Sequence, residues 1–250
     1  MIEESTGSVV CGTLPFTDSD RLDFAGQNLP PAECESTTAA DGSVCPCPFW
    51  KRTIDVAGAS AGLVLLSPLF AAIALWIKLV SPGPVFFRHR RYGLAGRPFR
   101  VWKFRSLKMN EPDSTQRDYM VELMESEQPM VKRDPHLAII PGGRIMRQLG
   151  IDELPQLINI LRGEMSFVGP RPHVVPLQSY AVWQRPRFDV VPGITGLWQI
   201  SDKEQTTFST MMQMDIEYIG RRTLWLDLKI LFGTFPAVVR SALSSRKQGE

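Results

Sequence analysis

The sequence has few of the residues that form disulfide frameworks and histidine metal sites. Its four cysteines all precede residue 48, and no two of its three histidines stand at the spacing of metal ligands. The body of the chain therefore has no disulfide framework, as is typical of proteins from a reducing compartment. The Cys-Pro-Cys at 45–47 also lacks the C-x-x-C spacing of a zinc site, so we predict no metal there.

Basic residues are nearly absent from residues 1–50, where eight acids face Arg21 alone. This segment also lacks the apolar core of a signal peptide and any hydrophobic periodicity. We therefore predict a disordered acidic tail over 1–48 and one domain over 49–250. The chain after residue 50 carries 27 bases and 18 acids. Such a basic body suits a partner with phosphates: nucleic acid, a nucleotide or an anionic membrane face.

Charged side chains are absent from 56–77, a run of 22 residues. As one helix this run is about 33 Å long and could cross a bilayer. Pro68 kinks or breaks the helix at its centre, and Ser67 can satisfy a freed carbonyl. Lys and Arg flank both ends, and both flanks can be cytoplasmic only if the chain returns to the face it entered. We favour a re-entrant helix-break-helix over 54–80; a single transmembrane anchor and a buried core helix are the alternatives.

Acids are absent between Arg88 and Lys108, where eight bases occur. The Gly-Leu-Ala-Gly at 93–96 separates two β-prone runs and predicts a hairpin. In its second strand, Lys103 and Arg105 share a face by the period of two, so they can straddle a phosphate or a diphosphate.

The first strand of this hairpin follows the apolar segment directly. We therefore assign Arg88, Arg90 and Arg91 to contact with anionic lipid. A solvated basic edge strand and a nucleic-acid surface are the alternatives, although no nucleic-acid-binding motif occurs.

Apolar residues recur at helical spacing after Gly150 and end before Gly163, which predicts a helix. Asp152 and Glu153 then lie at its cap or first turn, where Pro155 is tolerated. A capping role is the simplest interpretation of Asp152. The functional alternative uses the same geometry, because a helix N-terminus favours phosphate groups. One carboxylate can then attack phosphorus, with Mg²⁺ taking carboxylate and phosphate oxygens together, while the other orients, binds metal or moves a proton.

Two arginines near the carboxylate pair are candidates for gripping a phosphate with two hydrogen bonds. Arg147 lies five residues before Asp152, and Arg171 stands between Pro170 and Pro172, which fix φ on either side of it. For both arginines the alternative is a structural salt bridge. For Arg171 we favour the phosphate-binding role.

Together these motifs resemble those of bacterial sugar transferases. These are monotopic polyprenol-phosphate phosphoglycosyl transferases that start exopolysaccharide, capsule or glycan assembly. The similarity extends in family order over roughly 51–239. The matching segments are KRTIDV at 51–56, the Ser67-Pro68 break, SPGPVFFRHRRYG at 81–93, FRVWKFRSLKMN at 99–110, DP at 134–135, IDELPQLINILRGEMSFVGPRP at 151–172 and PGITGLWQI at 192–200.

The resemblance implies an α/β fold: a small membrane-associated catalytic domain with a re-entrant helix-break-helix, a basic β-hairpin and amphipathic interfacial helices. It places this domain on the cytoplasmic face of the bacterial inner membrane. It implies a ping-pong reaction in which Asp152, paired with Glu153, attacks the sugar-linked phosphorus of a UDP-sugar and UMP leaves. The phosphosugar then passes to polyprenol (undecaprenyl) phosphate.

The resemblance also implies Mg²⁺ at Asp152, and contact with membrane lipid but not with nucleic acid. The resemblance leaves open whether the protein forms a homodimer. The phosphate-binding residues that it implies are Lys103, Arg105, Arg147 and Arg171. Larger family members have several N-terminal membrane spans where this chain has its acidic tail, and the segment PHLAIIPGGRIMRQ at 135–148 lacks the Arg and Thr often found before its first Gly.

An apolar stripe over 223–235, with Asp227 and Lys229 off it, predicts an amphipathic helix that is either interfacial or part of the core. The competing functional classes are a membrane-tethered nucleotide-binding regulator and a basic membrane or nucleic-acid adaptor. The Asp152-Glu153 pair and Arg171 favour the enzyme. No residue of the sequence indicates which UDP-sugar is used.

Overall fold

The computed structural model describes residues 47–108, 113–126, 139–201 and 206–247, of which 113–115 and 241–247 are described by their backbone alone. The acidic tail predicted over 1–48, apart from its last two residues, and the DP motif at 134–135 therefore lie outside the described residues.

The uncharged run forms two helices, α1 (Phe49–Leu65) and α2 (Ser67–Val80), which bend by 60° at the break between them. Pro68 lies in the first turn of α2, where no N–H donor is needed. The Ser67 hydroxyl donates to the Val64 carbonyl over 2.7 Å, as predicted. Among the described residues no single helix is long and apolar enough to cross a bilayer, although α1 and α2 together have that length and composition.

The predicted hairpin is confirmed. Strand β1 (Phe86–Tyr92) pairs antiparallel with β2 (Pro98–Phe104), with Arg88 opposite Trp102 and Arg90 opposite Arg100. Arg91 points to the other face, where it donates to Gln116 of α3 (Asp113–Glu125) over 2.9 Å. Arg91 therefore lies on the opposite face from Arg88 and Arg90, because adjacent residues of a strand face opposite ways, and the lipid contact assigned to the three arginines stays a prediction.

The segment that carries Asp152 differs from the single helix that we predict. After α4 (Gly143–Gln148) the chain turns at Gly150, forms a 3₁₀ helix over Ile151–Gln156 and continues as a short α5 (Leu157–Leu161). In an α-helix the ring of Pro155 would clash with the carbonyl of Ile151, four residues earlier, which favours the tighter turn. Gly163, at φ +77°, follows the end of the helix as predicted.

The rest of the domain places helices around a second small sheet, which agrees with the coarse α/β class. Strands β3 (Ser166–Val168) and β4 (Gly193–Thr195) pair in parallel, and a 3₁₀ helix over Val182–Phe188 lies between them in sequence. Three helices follow: α6 (Leu197–Ile200), α7 (Phe208–Gly220) and α8 (Leu224–Lys247).

Helix α8 is longer than the predicted 223–235, and its two faces have different surroundings. Asp227 and Ile230 are buried, whereas Trp225, Phe232 and Phe235 are 66%, 78% and 76% exposed. The helix is thus part of the core on one side and apolar yet exposed on the other.

Charged residues join the start of α1 to the rest of the domain. Lys51, only 4% exposed, forms an ion pair with Asp227 of α8. Arg52 donates to two carbonyls at the end of α5, and Asp55 accepts two hydrogen bonds from β3. Lys51 and Arg52, which flank the apolar run in the sequence, thus also have a role in packing.

Candidate active site

A cleft of about 530 Å³, which includes the solvent at its mouth, opens beside the inner face of the hairpin. Four of its lining side chains are cationic and one is a carboxylate. Such a lining suits a polyanion with several phosphate oxygens. The residues that line it are Phe87, His89, Arg91, Lys103, Phe104, Arg105, Ser106, Leu107, Gln116, Arg147 and Asp152.

Asp152 is the carboxylate of this cleft. It is 7% exposed and lies in the first turn of the 3₁₀ helix that follows Gly150. Ile151 and Leu154, on the same turn, pack into an apolar cluster with Phe104. Because its neighbours are fixed in the core, the Asp152 carboxylate is presented to the cleft from a rigid turn.

Glu153 is engaged differently from Asp152. Its Oε1 receives Lys103 Nζ at 2.7 Å and Arg171 Nη2 at 2.6 Å, and its Oε2 receives Arg171 Nη1 at 3.3 Å. Burial acts to raise the pKa of Glu153, but the charges of Arg171 and Lys103 outweigh it and hold this pKa well below its ordinary value. Glu153 is therefore an ionised carboxylate that fixes two cations.

The structure brings Arg171 to Glu153 rather than to the lining of the cleft. The side chain of Arg171 is 32% exposed, and the charge of Glu153 raises the pKa of its guanidinium. This pair is the salt bridge that the sequence analysis left as an alternative. The two contacts leave three of the five guanidinium hydrogens unused by Glu153, so Arg171 can hold Glu153 and still donate to a phosphate.

Arg105 and Arg147 both line the cleft, in different settings. Arg105, 6% exposed and just beyond β2, donates from Nη2 to the Ser81 carbonyl and from Nη1 to the Pro82 carbonyl, each over 2.6 Å. These bonds close the turn between α2 and β1. Arg147 belongs to α4 and lies in the same lining as Asp152.

Sequence reasoning missed four polar residues of the cleft: His89, Arg91, Ser106 and Gln116. Alternation along β1 was the available signal for the first two, because His89 and Arg91 share a face with Phe87. Burial, then the charges of Arg91 and Lys103, lower the pKa of His89 to about 3, so this ring is neutral at physiological pH.

Glu164, whose role the sequence leaves undecided, supports the hairpin from outside the cleft lining. It accepts a hydrogen bond of 2.6 Å from Asn159, which is fully buried. Asn159 accepts the Trp102 N–H and donates to the Arg100 carbonyl. Glu164 therefore fixes the residue that aligns the strand of Lys103.

The residues at the cleft offer limited ligation to a metal ion. Across the described ranges, no group of three or more His, Cys, Asp or Glu side chains is placed to hold one. Asp152 is the carboxylate that lines the cleft, whereas Glu153 is bound by Lys103 and Arg171. Mg²⁺ commonly takes one or two carboxylates and completes its shell with water and substrate phosphates. The site fits a Mg²⁺ ion of that kind.

Comparisons with known proteins agree with the family that the motifs indicate. The chain is 39% identical over 200 residues to the exopolysaccharide production protein ExoY of Rhizobium meliloti strain 1021. This match covers 76% of this chain and 86% of that protein. It is 41% identical over 197 residues to the UDP-glucose:undecaprenyl-phosphate glucose-1-phosphate transferase of Escherichia coli K12.

The undecaprenyl-phosphate galactose phosphotransferase of Salmonella typhimurium LT2 is 37% identical over 198 residues. The matches to these two transferases cover 74% and 77% of this chain but only 39% and 41% of their own lengths. A family model described as bacterial sugar transferase matches residues 47–241. The chain therefore belongs to the bacterial sugar transferase family.

Proposed function

We propose that this protein transfers a sugar 1-phosphate from a UDP-sugar to undecaprenyl phosphate and releases UMP, as a membrane step of exopolysaccharide or glycan assembly. The observation that carries the proposal is the buried Asp152 carboxylate presented to a cleft lined by four cations. The two transferases described above, by their names, supply the two substrate classes.

In the first half of the reaction, a carboxylate oxygen of Asp152 attacks the sugar-linked phosphorus of the UDP-sugar. The bond from that phosphorus to the bridging oxygen breaks, and UMP leaves with the bonding electrons. In the second half, a phosphate oxygen of undecaprenyl phosphate attacks the same phosphorus and releases Asp152. Each half exchanges one phosphorus–oxygen bond for another, so neither an oxidant nor a water molecule is consumed.

The cations of the site neutralise the charge that accumulates when a carboxylate approaches a diphosphate. Lys103 and Arg147 line the cleft with Asp152 and are the groups that we assign to this role. Asp152 would hold a Mg²⁺ ion, which would supply Lewis-acid charge. Glu153 holds Lys103 and Arg171 in place by its hydrogen bonds to them. In this proposal Asp152 is the nucleophile and Glu153 orients the two cations.

The bent helix pair supports a re-entrant insertion that brings the cleft to a membrane surface. Helices α1 and α2 have 17 and 14 residues, or about 26 and 21 Å, and each is shorter than the hydrocarbon core of a bilayer. Val64 and Leu65, next to the break, are 73% and 76% exposed. We place the domain on the cytoplasmic face, where UDP-sugars are available.

The experiment that tests this function measures UMP release by the purified full chain with undecaprenyl phosphate and a panel of UDP-sugars. We expect release with at least one UDP-sugar, and formation of the sugar-diphosphate lipid only when both substrates are present. Binding of UDP-sugars without UMP release on any of them would favour the nucleotide-binding regulator instead.

A further inference from the structure

The turn that carries Arg171 is fixed by hydrogen bonds that its backbone carbonyl groups accept. Backbone N–H groups hold two of them: Gly193 donates to the Pro170 carbonyl and Tyr92 to the His173 carbonyl, both over 2.9 Å. A side chain holds the carbonyl of Arg171 itself, because Arg187 Nη2 donates to it over 2.8 Å. Arg187 belongs to the 3₁₀ helix Val182–Phe188 and does not line the cleft.

Arg187 is fixed by partners on both sides. It is 4% exposed, and its Nη1 lies 2.6 Å from His173 Nδ1. Since arginine only donates, that nitrogen accepts. Burial and the charge of Arg187 lower the pKa of His173 well below its ordinary value, which agrees with a neutral ring. On the other side, Arg187 Nη2 forms an ion pair of 2.9 Å with Oδ2 of Asp215, a residue of α7 that is 1% exposed.

The burial of this ion pair carries a desolvation cost that the attraction between its charges offsets only in part. Burial raises the pKa of Asp215 to about 6, and the opposing charge of Arg187 does not restore its ordinary value. Removing two charges from water commonly costs as much as their attraction returns. A buried ion pair of this kind can serve to position the groups around it. Here the group that it contacts is the backbone carbonyl of Arg171.

We propose that Arg187 and Asp215 are positioning residues, which hold the Arg171 turn so that its guanidinium meets Glu153 and the substrate phosphates in one fixed orientation. The inference rests on the proposed function, in which Arg171 contacts a phosphate. The pair acts through Arg171 alone and touches neither the substrate nor the reacting atoms.

A double-mutant cycle on UMP release separates this role from a general structural one. Arg187→Lys keeps the charge beside Asp215 but loses the planar group that reaches three partners. We expect it to lower kcat about tenfold, with a smaller change in KM for the UDP-sugar. In an Arg171→Lys background the same change should lower kcat less than about twofold, because the group that it positions is already gone.

Controls and a second variant keep the test decisive. Arg185→Lys, at an exposed position of the same 3₁₀ helix where the side chain donates to the Tyr180 carbonyl, should leave kcat and the melting temperature unchanged. If Arg187→Lys does not fold, Asp215→Asn, which preserves size, enters the same cycle. Equal losses of kcat in both Arg171 backgrounds, or a wild-type kcat in the folded variant, would overturn the inference.

A direct readout distinguishes failure of this inference from failure of the proposed function. The guanidinium ¹⁵N–H signals of Arg171, assigned by their loss in Arg171→Lys, should exchange slowly with water in the wild type and faster in Arg187→Lys. No UMP release by the wild type would contradict the proposed function alone. Unchanged exchange in Arg187→Lys would contradict the positioning role whether or not the enzyme turns over.

Discussion

At the scale of single residues, the structure gives different tasks to two neighbouring carboxylates. Asp152 lines the cationic cleft, whereas Glu153 is bound by Lys103 and Arg171. The sequence shows only an adjacent pair and leaves their division of work open. The distinction depends on cations that lie 50 residues before and 18 residues after Glu153.

The first prediction concerns Asp152. Asp152→Asn should lower UMP release by about a thousandfold or more, because the amide is nearly isosteric but is not an anionic nucleophile. The protein should remain folded, as judged by its melting temperature. Asp118→Asn, at an exposed position of α3, is the matched control and should retain full activity. Turnover near the wild-type level in a folded Asp152→Asn protein would remove Asp152 as the nucleophile.

The second prediction concerns Arg171. We expect Arg171→Lys to lose about one to two decades of kcat/KM, since an ammonium cannot hold Glu153 and a phosphate with the geometry of a guanidinium. One charge-assisted hydrogen bond contributes roughly 1.5–3 kcal/mol. Kinetics and thermal melts on Arg171→Lys and Arg171→Ala test this together. If activity survives while the melting temperature falls, Arg171 is only a partner of Glu153.

At the scale of elements, the apolar helix pair α1–α2 has a break at its centre, and the start of α1 is bound to the rest of the domain. Ser67 and Pro68 produce the 60° bend, and small residues let α1 approach the domain closely, since a Cβ at Gly58 would meet Phe167 at 2.8 Å. The weakly apolar first half of the run thus has a packing reason in addition to any membrane one. The bend supports a return to the same membrane face.

The third prediction tests that topology. Single cysteines replacing Phe49 (87% exposed) and Pro84 (also exposed), in a background without native cysteines, should both be protected from an impermeant reagent applied from the periplasmic side. Pro68→Leu restores a backbone donor and should straighten the helix, so that some molecules span the bilayer. One of the two positions should then become reactive from the periplasm. Labelling of only one position in the protein with Pro68 intact would instead show a transmembrane anchor.

At the scale of the whole molecule, the predictable parts are those set by local pattern. The hairpin follows from its turn residues, the helix break from Pro68, and the end of α5 from Gly163. The sequence did not indicate the buried Lys51–Asp227 pair, because its partners are 176 residues apart. The 3₁₀ start at Ile151 was missed because the apolar spacing of that segment also fits an α-helix.

The fourth prediction concerns this long-range pair. Asp227→Asn leaves the buried Lys51 ammonium without its counter-charge, which should lower the free energy of unfolding by about 3–5 kcal/mol. Replacing both partners, as Lys51→Met with Asp227→Leu, should recover most of that loss because no unpaired charge stays buried. Denaturant melts in detergent measure both effects. Arg221→Gln, in the exposed pair with Glu217, is the control and should change stability by less than about 1 kcal/mol. A double variant as unstable as Asp227→Asn would contradict this account.

The anchoring of α1 also has a consequence for biosynthesis. The ribosome releases the apolar helices first, yet the partners of Lys51, Arg52 and Asp55 lie 108 to 176 residues later in the chain. In the re-entrant arrangement that we propose, these polar groups stay hydrated at the bilayer surface during translation, after the apolar segment has entered the lipid. We therefore expect insertion to precede folding, and nascent chains stopped before α8 to be membrane-bound but sensitive to protease.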